Sequence, residues 1–442
     1  LVLTRCNLGN ESSFGVTIGG VPIFLTDAFV GILVLLTLNE RPAQLVIWAF
    51  TGTGAGPVGL ATWLICLSSL VYAIFAFHEY QIYALRDLAA FGYCLFFPLT
   101  YFAVTRRSTA VKLTRYFTYS IIFGAVLLLA EALSRSSLGL FETAYKGLGA
   151  YSGSAIEHPA TGDLGANLGF GLAALLAYVF VDDAGQNLHN GIAAICLAGL
   201  VIALDRSAML GAGLAIVPTY LLLDSKRKAQ LWVTCGILTT LMLIAVALPD
   251  RIPGGHALRA PVIALSSAFG GAGSDADFMF RIRRWTYVVN LWAQHPIFGV
   301  GFGTRILPFA SFWGNDEPGQ FNFGMPHNSY LTILARTGLV GFLLFAFCLL
   351  WTARDLVRKL WQQTRPDESA VLNMLVAMVV FAGLNLFFER PLLCGPFWIM
   401  LGVAARMGEP RRHLNVRIAK SETPVRSRIP LIPHKNTVTG AA

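Results

Sequence analysis

Apolar runs of roughly 20 residues recur along this chain, and they restrict its fold more than any motif does. A run of that length crosses about 30 Å of hydrocarbon as an α-helix, which satisfies its own backbone hydrogen bonds in lipid. Such runs fall near 21–38, 57–77, 88–105, 116–133, 164–181, 190–204, 207–223, 230–248, 338–354, 371–388 and 391–407. Hydrophobic residues make up 55 % of the chain and charged ones only 13 %, with a mean hydropathy of +0.62. The expected fold is therefore an all-α polytopic membrane protein with about eleven visible transmembrane helices.

Lysine and arginine near span ends are retained on the cytoplasmic side, which sets the orientation. Arg106, Arg107, Lys112 and Arg115 mark one cytoplasmic loop, Lys226, Arg227 and Lys228 a second, and Arg354, Arg358, Lys359 and Arg365 a third. The tail beyond Arg411 is basic as well. The segments 134–163 and 249–337 and the short turns at Asp205-Arg206 and Glu389-Arg390 then face outward. An odd number of spans with an inside C-terminus leaves 1–20 outside. Because the chain starts at Leu1, one further span is expected upstream, giving a twelve-helix protein.

Four regions follow: an N-terminal bundle at 1–248, a large outward loop at 249–337, C-terminal spans at 338–407, and a basic tail at 408–442 with the composition of a disordered extension. No internal repeat is visible, which argues against the commoner transporter designs. The formal charge of +9 lies mostly in cytoplasmic loops and the tail, so topology accounts for it and nucleic-acid binding is not indicated. Six of the seven cysteines sit inside apolar runs and none is spaced as CxxC; they read as packing residues.

A loop as long as 249–337 is functional or disordered. Its first part is rich in Gly, Ala and Pro. Its second part carries Trp, Phe and Arg, which disordered segments avoid, and is expected to fold against the membrane surface. Residues 278–294 form a helix after the capping sequence Ser274-Asp275-Ala276-Asp277. At about 100° per residue, Arg281, Trp285, Val288 and Trp292 share one face with Arg284 and Leu291 beside it, while Arg283, Asn290 and Gln294 lie opposite. Arg281 on an apolar face either snorkels to lipid phosphate or meets another anion. His295-Pro296 closes the helix. The glycines of Gly299-Val300-Gly301-Phe302-Gly303 either present N–H groups to a phosphate or make a tight structural turn.

Pro326-His327-Asn328-Ser329-Tyr330-Leu331 ends the loop. Were 326–351 one straight span, Arg336 would lie about 13 Å below His327, inside hydrocarbon. A short interfacial helix at 326–337, broken at Thr337-Gly338 and followed by a span from Leu339, avoids that cost. His327 then occupies the first turn of an exposed helix, either as a hydrogen-bonded cap or as a neutral imidazole able to act as a base. Arg206 and Arg390 stand in outward turns beside Asp205 and Glu389, each either paired with that neighbour or holding an anion, and Asp27 is a candidate packing partner. Together Arg206, Arg281, Arg284, Arg390 and His327 form a cationic surface with one base, suited to a pyrophosphate on a lipid tail. No metal is expected on that side, so arginine would neutralise the phosphate charge.

The order Arg281-Ile282-Arg283-Arg284-Trp285, then His295-Pro296-Ile297-Phe298-Gly299-Val300-Gly301-Phe302-Gly303, then Pro326-His327-Asn328-Ser329-Tyr330-Leu331 and Gly338-Leu339-Val340-Gly341 resembles the bacterial O-antigen ligase and polysaccharide polymerase superfamily. The resemblance implies an inner-membrane protein of C-type glycosyltransferase-like fold. It implies a periplasmic active site, an undecaprenyl-diphosphate-linked oligosaccharide donor, a glycan or lipid A core acceptor, and neither cofactor nor metal. His327 matches the family's proposed base, and Arg281 and Arg206 match arginines thought to hold the diphosphate. Arg284 joins them, with Asn328, Arg305 and Arg390 as secondary candidates. Arg336 departs from the pattern, where a neutral or acidic residue is expected. Ligation, polymerisation for lipopolysaccharide or exopolysaccharide, and protein O-glycosylation share these motifs. A lipid-glycan flippase, with charges spread through the spans, and a non-catalytic scaffold are the rival readings.

Overall fold

The computed structural model describes residues 15–18, 21–134, 142–146, 156–160, 162–181, 186–203, 206–233, 236, 240, 276–307, 326–362, 365–385, 387–388 and 391–409. Asp205, Glu389, Arg390, the capping residues Ser274 and Asp275, most of the span expected at 230–248, the Gly-rich first part of the loop, and the tail lie outside the described residues, as do the side chains of Asp27 and Arg206.

The described chain is helical, as the all-α expectation requires, with two short antiparallel ribbons besides. Strands β1 (Gly15–Ile18) and β2 (Val21–Phe24) pair with Gly15 opposite Phe24. Strands β3 (Glu142–Lys146) and β4 (Ile156–Ala160) pair with Glu142 opposite Ala160.

The helices are α1 (Leu25–Glu40), α2 (Pro42–Thr51), α3 (Gly56–Tyr80), α4 (Ile82–Gly92), α5 (Phe96–Ala103) and α6 (Arg107–Ser134). They continue with α7 (Gly162–Val181), α8 (Gln186–Ala203), α9 (Arg206–Leu222), α10 (Ala276–Gln294), α11 (Ser329–Gln362), α12 (Pro366–Leu384) and α13 (Pro391–Gly408). Among the described residues, α3, α11 and α12 are long and apolar enough to cross a membrane. Residues Val30–Glu40 of α1 and helix α2, bent by 116° against each other, make a fourth candidate, and α7, α8, α9 and α13 contain shorter apolar stretches. The eleven spans read from hydropathy thus have three to four counterparts that meet these criteria of length and composition.

Helix α12 organises the bundle, packing on α7, α9, α11 and α13. Small residues let backbones meet where lipid offers no hydrophobic drive between helices. A Cβ on Gly211 of α9 would stand 2.8 Å from the Ala377 carbonyl of α12. Polar side chains add specific links: Thr219 Oγ1 meets Asn373 Oδ1 at 2.8 Å, and Asn373 Nδ2 donates to the Ala173 carbonyl at 3.1 Å. The core is dense in rings, with Phe387 edge-on to Phe170, Phe381, Phe388 and Phe397.

Helix α12 also fixes two opposite ends, about 27 Å apart at 1.5 Å per residue. At its start, Asp367 accepts from Arg115 Nε at 2.9 Å and from the Tyr178 hydroxyl at 3.0 Å, and Glu368 pairs with Arg107. Arg406 donates to the Val104 carbonyl at 2.9 Å, and Lys359 to that of Met407. Arg107, Arg115, Lys359 and Arg406 therefore share one end of the bundle. The His327 segment lies at the other, where α12 finishes at Leu384.

Candidate functional site

Helix α10 begins at Ala276, two residues before the expected start, and its faces follow the helical projection. Val288 is fully buried against Ile306, Leu307 and Ala335, while Arg283, Asn290 and Gln294 are exposed. Arg284 is only 4 % exposed, and burial lowers the pKa of its guanidinium from the ordinary value. Arg281 Nη1 donates to the Leu384 carbonyl at 2.6 Å. One turn on, Trp285 Nε1 donates to the Pro326 carbonyl at 2.7 Å. The arginine face of α10 is thereby docked on the residue preceding His327 and on the end of α12.

The segment 326–329 is built differently from the expected helix. Asn328 is the N-cap of α11: its Oδ1 accepts the N–H groups of Tyr330 and Leu331, both at 3.1 Å, satisfying donors that a helix start leaves orphaned. His327 precedes the cap and is not in the first turn. Its φ of +54° is left-handed, a region uncommon for residues other than glycine and costing roughly 1–2 kcal/mol. The helix is not exposed either, since Ser329, Ile333, Ala335 and Arg336 are all buried. Ser329 Oγ accepts from Phe387 N at 2.9 Å and Phe388 N at 3.3 Å, and lies 3.3 Å from the Asn385 carbonyl. Arg281 and Ser329 thus engage the consecutive carbonyls of Leu384 and Asn385. The Tyr330 hydroxyl donates to the Val379 carbonyl at 2.6 Å, fixing α11 along α12.

At Gly338 (φ +62°, ψ −163°) α11 breaks, at the position the sequence argument requires. The Gly-rich segment repairs the break. Val300 N and Gly301 N donate to the carbonyls of Ala335 and Arg336, at 2.7 and 3.1 Å, and Leu339 N and Val340 N donate to those of Pro296 and Ile297, at 2.9 and 3.2 Å. A Cβ on Gly338 would stand 2.2 Å from the Ile297 carbonyl oxygen, and one on Gly299 would stand 2.4 Å from that of Ala335. The glycines are required because two backbones touch, so this is a structural turn.

Arg336, expected on the surface, is 3 % exposed. Its Nη2 lies 3.1 Å from Asp87 Oδ2 of α4, and Nη1 donates to the carbonyls of Gly301 and Thr304. Asp87 Oδ2 also accepts Gly303 N–H at 2.7 Å. A carboxylate from a distant helix, together with backbone acceptors, offsets part of the desolvation cost that would push an isolated arginine to the surface. Nothing in the local sequence around Arg336 names that partner.

The structure therefore brings Arg281, Trp285 and the His327-Asn328-Ser329 segment together. Arg284 lies on the same helix, buried. Arg305 is exposed beyond the Gly-rich turn, with Nε donating to the Leu307 carbonyl at 2.8 Å. Arg206 opens α9, and Arg390 falls outside the described residues. His295 is exposed at the end of α10, where its carbonyl accepts from Gly299 N at 2.9 Å. Ser329 went unremarked in the sequence; its signal was a hydroxyl immediately after a helix cap. Among the described residues no group of three or more His, Cys, Asp or Glu side chains is placed to hold a metal ion.

Long apolar helices around a cationic, histidine-bearing segment define a helical membrane protein with a candidate anion site at one end of its bundle. Residues 191–346, about a third of the chain, match the family model described as O-antigen ligase. This segment, which runs from α8 past Arg206, Arg281 and His327 to beyond the break at Gly338, is similar to the O-antigen ligase-like superfamily, and the match supports that resemblance. No curated protein matches the chain.

Proposed function

We propose that this chain is a glycosyltransferase that moves a glycan from an undecaprenyl-diphosphate carrier onto an acceptor hydroxyl, as an O-antigen ligase or an O-antigen or exopolysaccharide polymerase. The observation that carries the reading is the docking of α10: Arg281 sits one turn from Trp285, whose indole holds the Pro326 carbonyl next to His327. The helix that carries Arg281 is then docked on the segment that carries His327, at one end of the bundle. In this reaction His327 removes the proton of the acceptor hydroxyl. The resulting oxygen attacks the anomeric carbon from the face opposite the diphosphate, and configuration inverts. Arg281, Arg284 and Arg206 take up the charge that develops on the departing diphosphate, a stabilisation worth most in the transition state. With arginines in that role the transfer needs no divalent metal.

Orientation is part of the proposal. The paired basic loops gather at the Asp367 end of α12 and His327 at the Leu384 end. By the retention of positive loops in the cytoplasm, the His327 end faces the periplasm of a bacterial inner membrane.

His327→Ala and Arg281→Ala are each expected to abolish glycan transfer while the protein still inserts. Normal surface glycan in a His327→Ala strain would sink the enzyme reading. Glycan from a deletion strain separates the activities. Single units still attached mark a polymerase, and lipid-linked polymer over a bare core marks a ligase.

A further inference from the structure

Between α3, α4, α11 and α13, one turn below the Asn328 cap, lies a cavity of about 50 Å³. Its polar lining comprises Ser68, Ser69, Asp87, Thr332, Arg336 and Thr337. Phe91, Phe345 and Trp398 close its apolar side. Two features set it apart from a packing defect. The first is the Asp87–Arg336 ion pair, two charges withdrawn from bulk water inside a helical bundle. Such a pair recovers its desolvation cost only when its remaining hydrogen-bonding positions are also satisfied.

The second is Ser69, which is 1 % exposed and whose Oγ has no hydrogen-bond partner among the described residues. A helical hydroxyl ordinarily bonds back to its own helix. In α3, Thr62 donates to the Val58 carbonyl at 2.7 Å and Ser68 to the Ile65 carbonyl at 3.0 Å. Ser69 does not. A buried hydroxyl left without a partner costs roughly as much as a lost hydrogen bond, and native structures rarely tolerate it.

We propose that the cavity is an ordered-water site, in which a small cluster of water bridges Ser69 Oγ to the Asp87–Arg336 pair. Most of the lining is apolar, but Ser69, Asp87 and Arg336 gather polar atoms on one side of it, and water is held where such partners converge. At about 15 Å³ per water the volume admits roughly three molecules. The hydroxyl, carboxylate and guanidinium groups of the lining are the partners available to them. The site does not depend on the glycosyltransferase reading and persists whatever the chain transfers.

The full-length protein in lipid nanodiscs, imaged at a resolution that shows water, tests the site. The expected result is solvent density within about 3.2 Å of Ser69 Oγ and of an Asp87 or Arg336 polar atom. A dry cavity, or one filled by an acyl chain, overturns the proposal. Ser69→Val gives an independent sign. Displacing water from the charged pair is expected to lower Tm by about 2 °C or more, whereas a methyl filling a dry apolar void would raise Tm or leave it unchanged. Ser69→Ala, which leaves the cavity open, keeps the density beside Asp87. Its disappearance in that variant would also overturn the proposal.

Discussion

The indole of Trp285 donates to the carbonyl of Pro326 across 2.7 Å, and this bond joins the arginine helix to the residue before His327. Trp285→Phe keeps an aromatic ring on the buried face and removes the donor. A hydrogen bond of this kind contributes about 1 kcal/mol net, so glycan transfer is expected to fall roughly five- to tenfold. The amount of inserted protein is expected to stay near wild type. A steady-state transfer assay normalised to membrane protein checks this, and unchanged kcat/KM would show that α10 is held on the His327 segment by other contacts.

His327 adopts φ +54°, and this geometry separates a functional residue from a capping one. Glycine takes that backbone without penalty, so His327→Gly is expected to relieve about 1 kcal/mol of local strain. Thermal stability should be equal to wild type or slightly higher, while transfer is lost. A cap would behave in the opposite way, and Asn328 supplies that contrast. Asn328→Ala removes the acceptor for Tyr330 N and Leu331 N and is expected to cost about 1 kcal/mol of stability. Melting curves for the two variants, measured beside transfer activity, are therefore expected to diverge.

Much of this arrangement was legible in the sequence, and what was not has physical causes. The break at Gly338 followed from one electrostatic argument, that Arg336 does not belong in hydrocarbon. The orientation of α10 followed from helical periodicity, because its arginines differ by fixed angles. The partner of Arg336 did not follow: Asp87 is brought to it by tertiary packing of α4, and no local pattern encodes that contact. The pairing of Arg107 and Arg115 with Glu368 and Asp367 is hidden for the same reason, since the sequence presents the two arginines only as topology signals. The sequence reading puts His327 in the first turn of a helix from 326, whereas the helix starts at Ser329 and His327 precedes its cap, because a histidine and the asparagine after it are both plausible at a helix start. Only the backbone shows that Asn328 holds the two N–H groups. The β1–β2 ribbon is not legible from hydropathy, which assigns the residues of β2 to the first span.

The Asp87–Arg336 pair makes an energetic prediction with a sign. Arg336→Met strands a carboxylate in the bundle and withdraws donors from the Gly301 and Thr304 carbonyls. Losing one partner of a buried pair costs about 3–5 kcal/mol, so a steep loss of folded protein is expected on detergent extraction. Asp87→Leu combined with Arg336→Met removes both charges, and the double variant is expected to be more stable than either single one. Fluorescence-detected size exclusion across the four proteins measures the coupling. Additive losses would mean that the two side chains stabilise the fold independently.

Arg281→Lys tests what the guanidinium does beyond carrying charge. Arg281 Nη1 donates to the Leu384 carbonyl at 2.6 Å, which fixes the plane of a group that has five donors in a rigid fork. Lysine keeps the charge but offers a single ammonium that cannot hold that carbonyl and a diphosphate in the same fixed geometry. If Arg281 contacts the leaving diphosphate, Arg281→Lys is expected to lower kcat about tenfold or more, because the lost contacts strengthen as charge develops. A rise in KM with kcat intact would instead mean that Arg281 binds donor and transition state equally. No change in either would return Arg281 to a role in docking α10 on the end of α12, and leave Arg206 and Arg284 as the groups to test for the diphosphate.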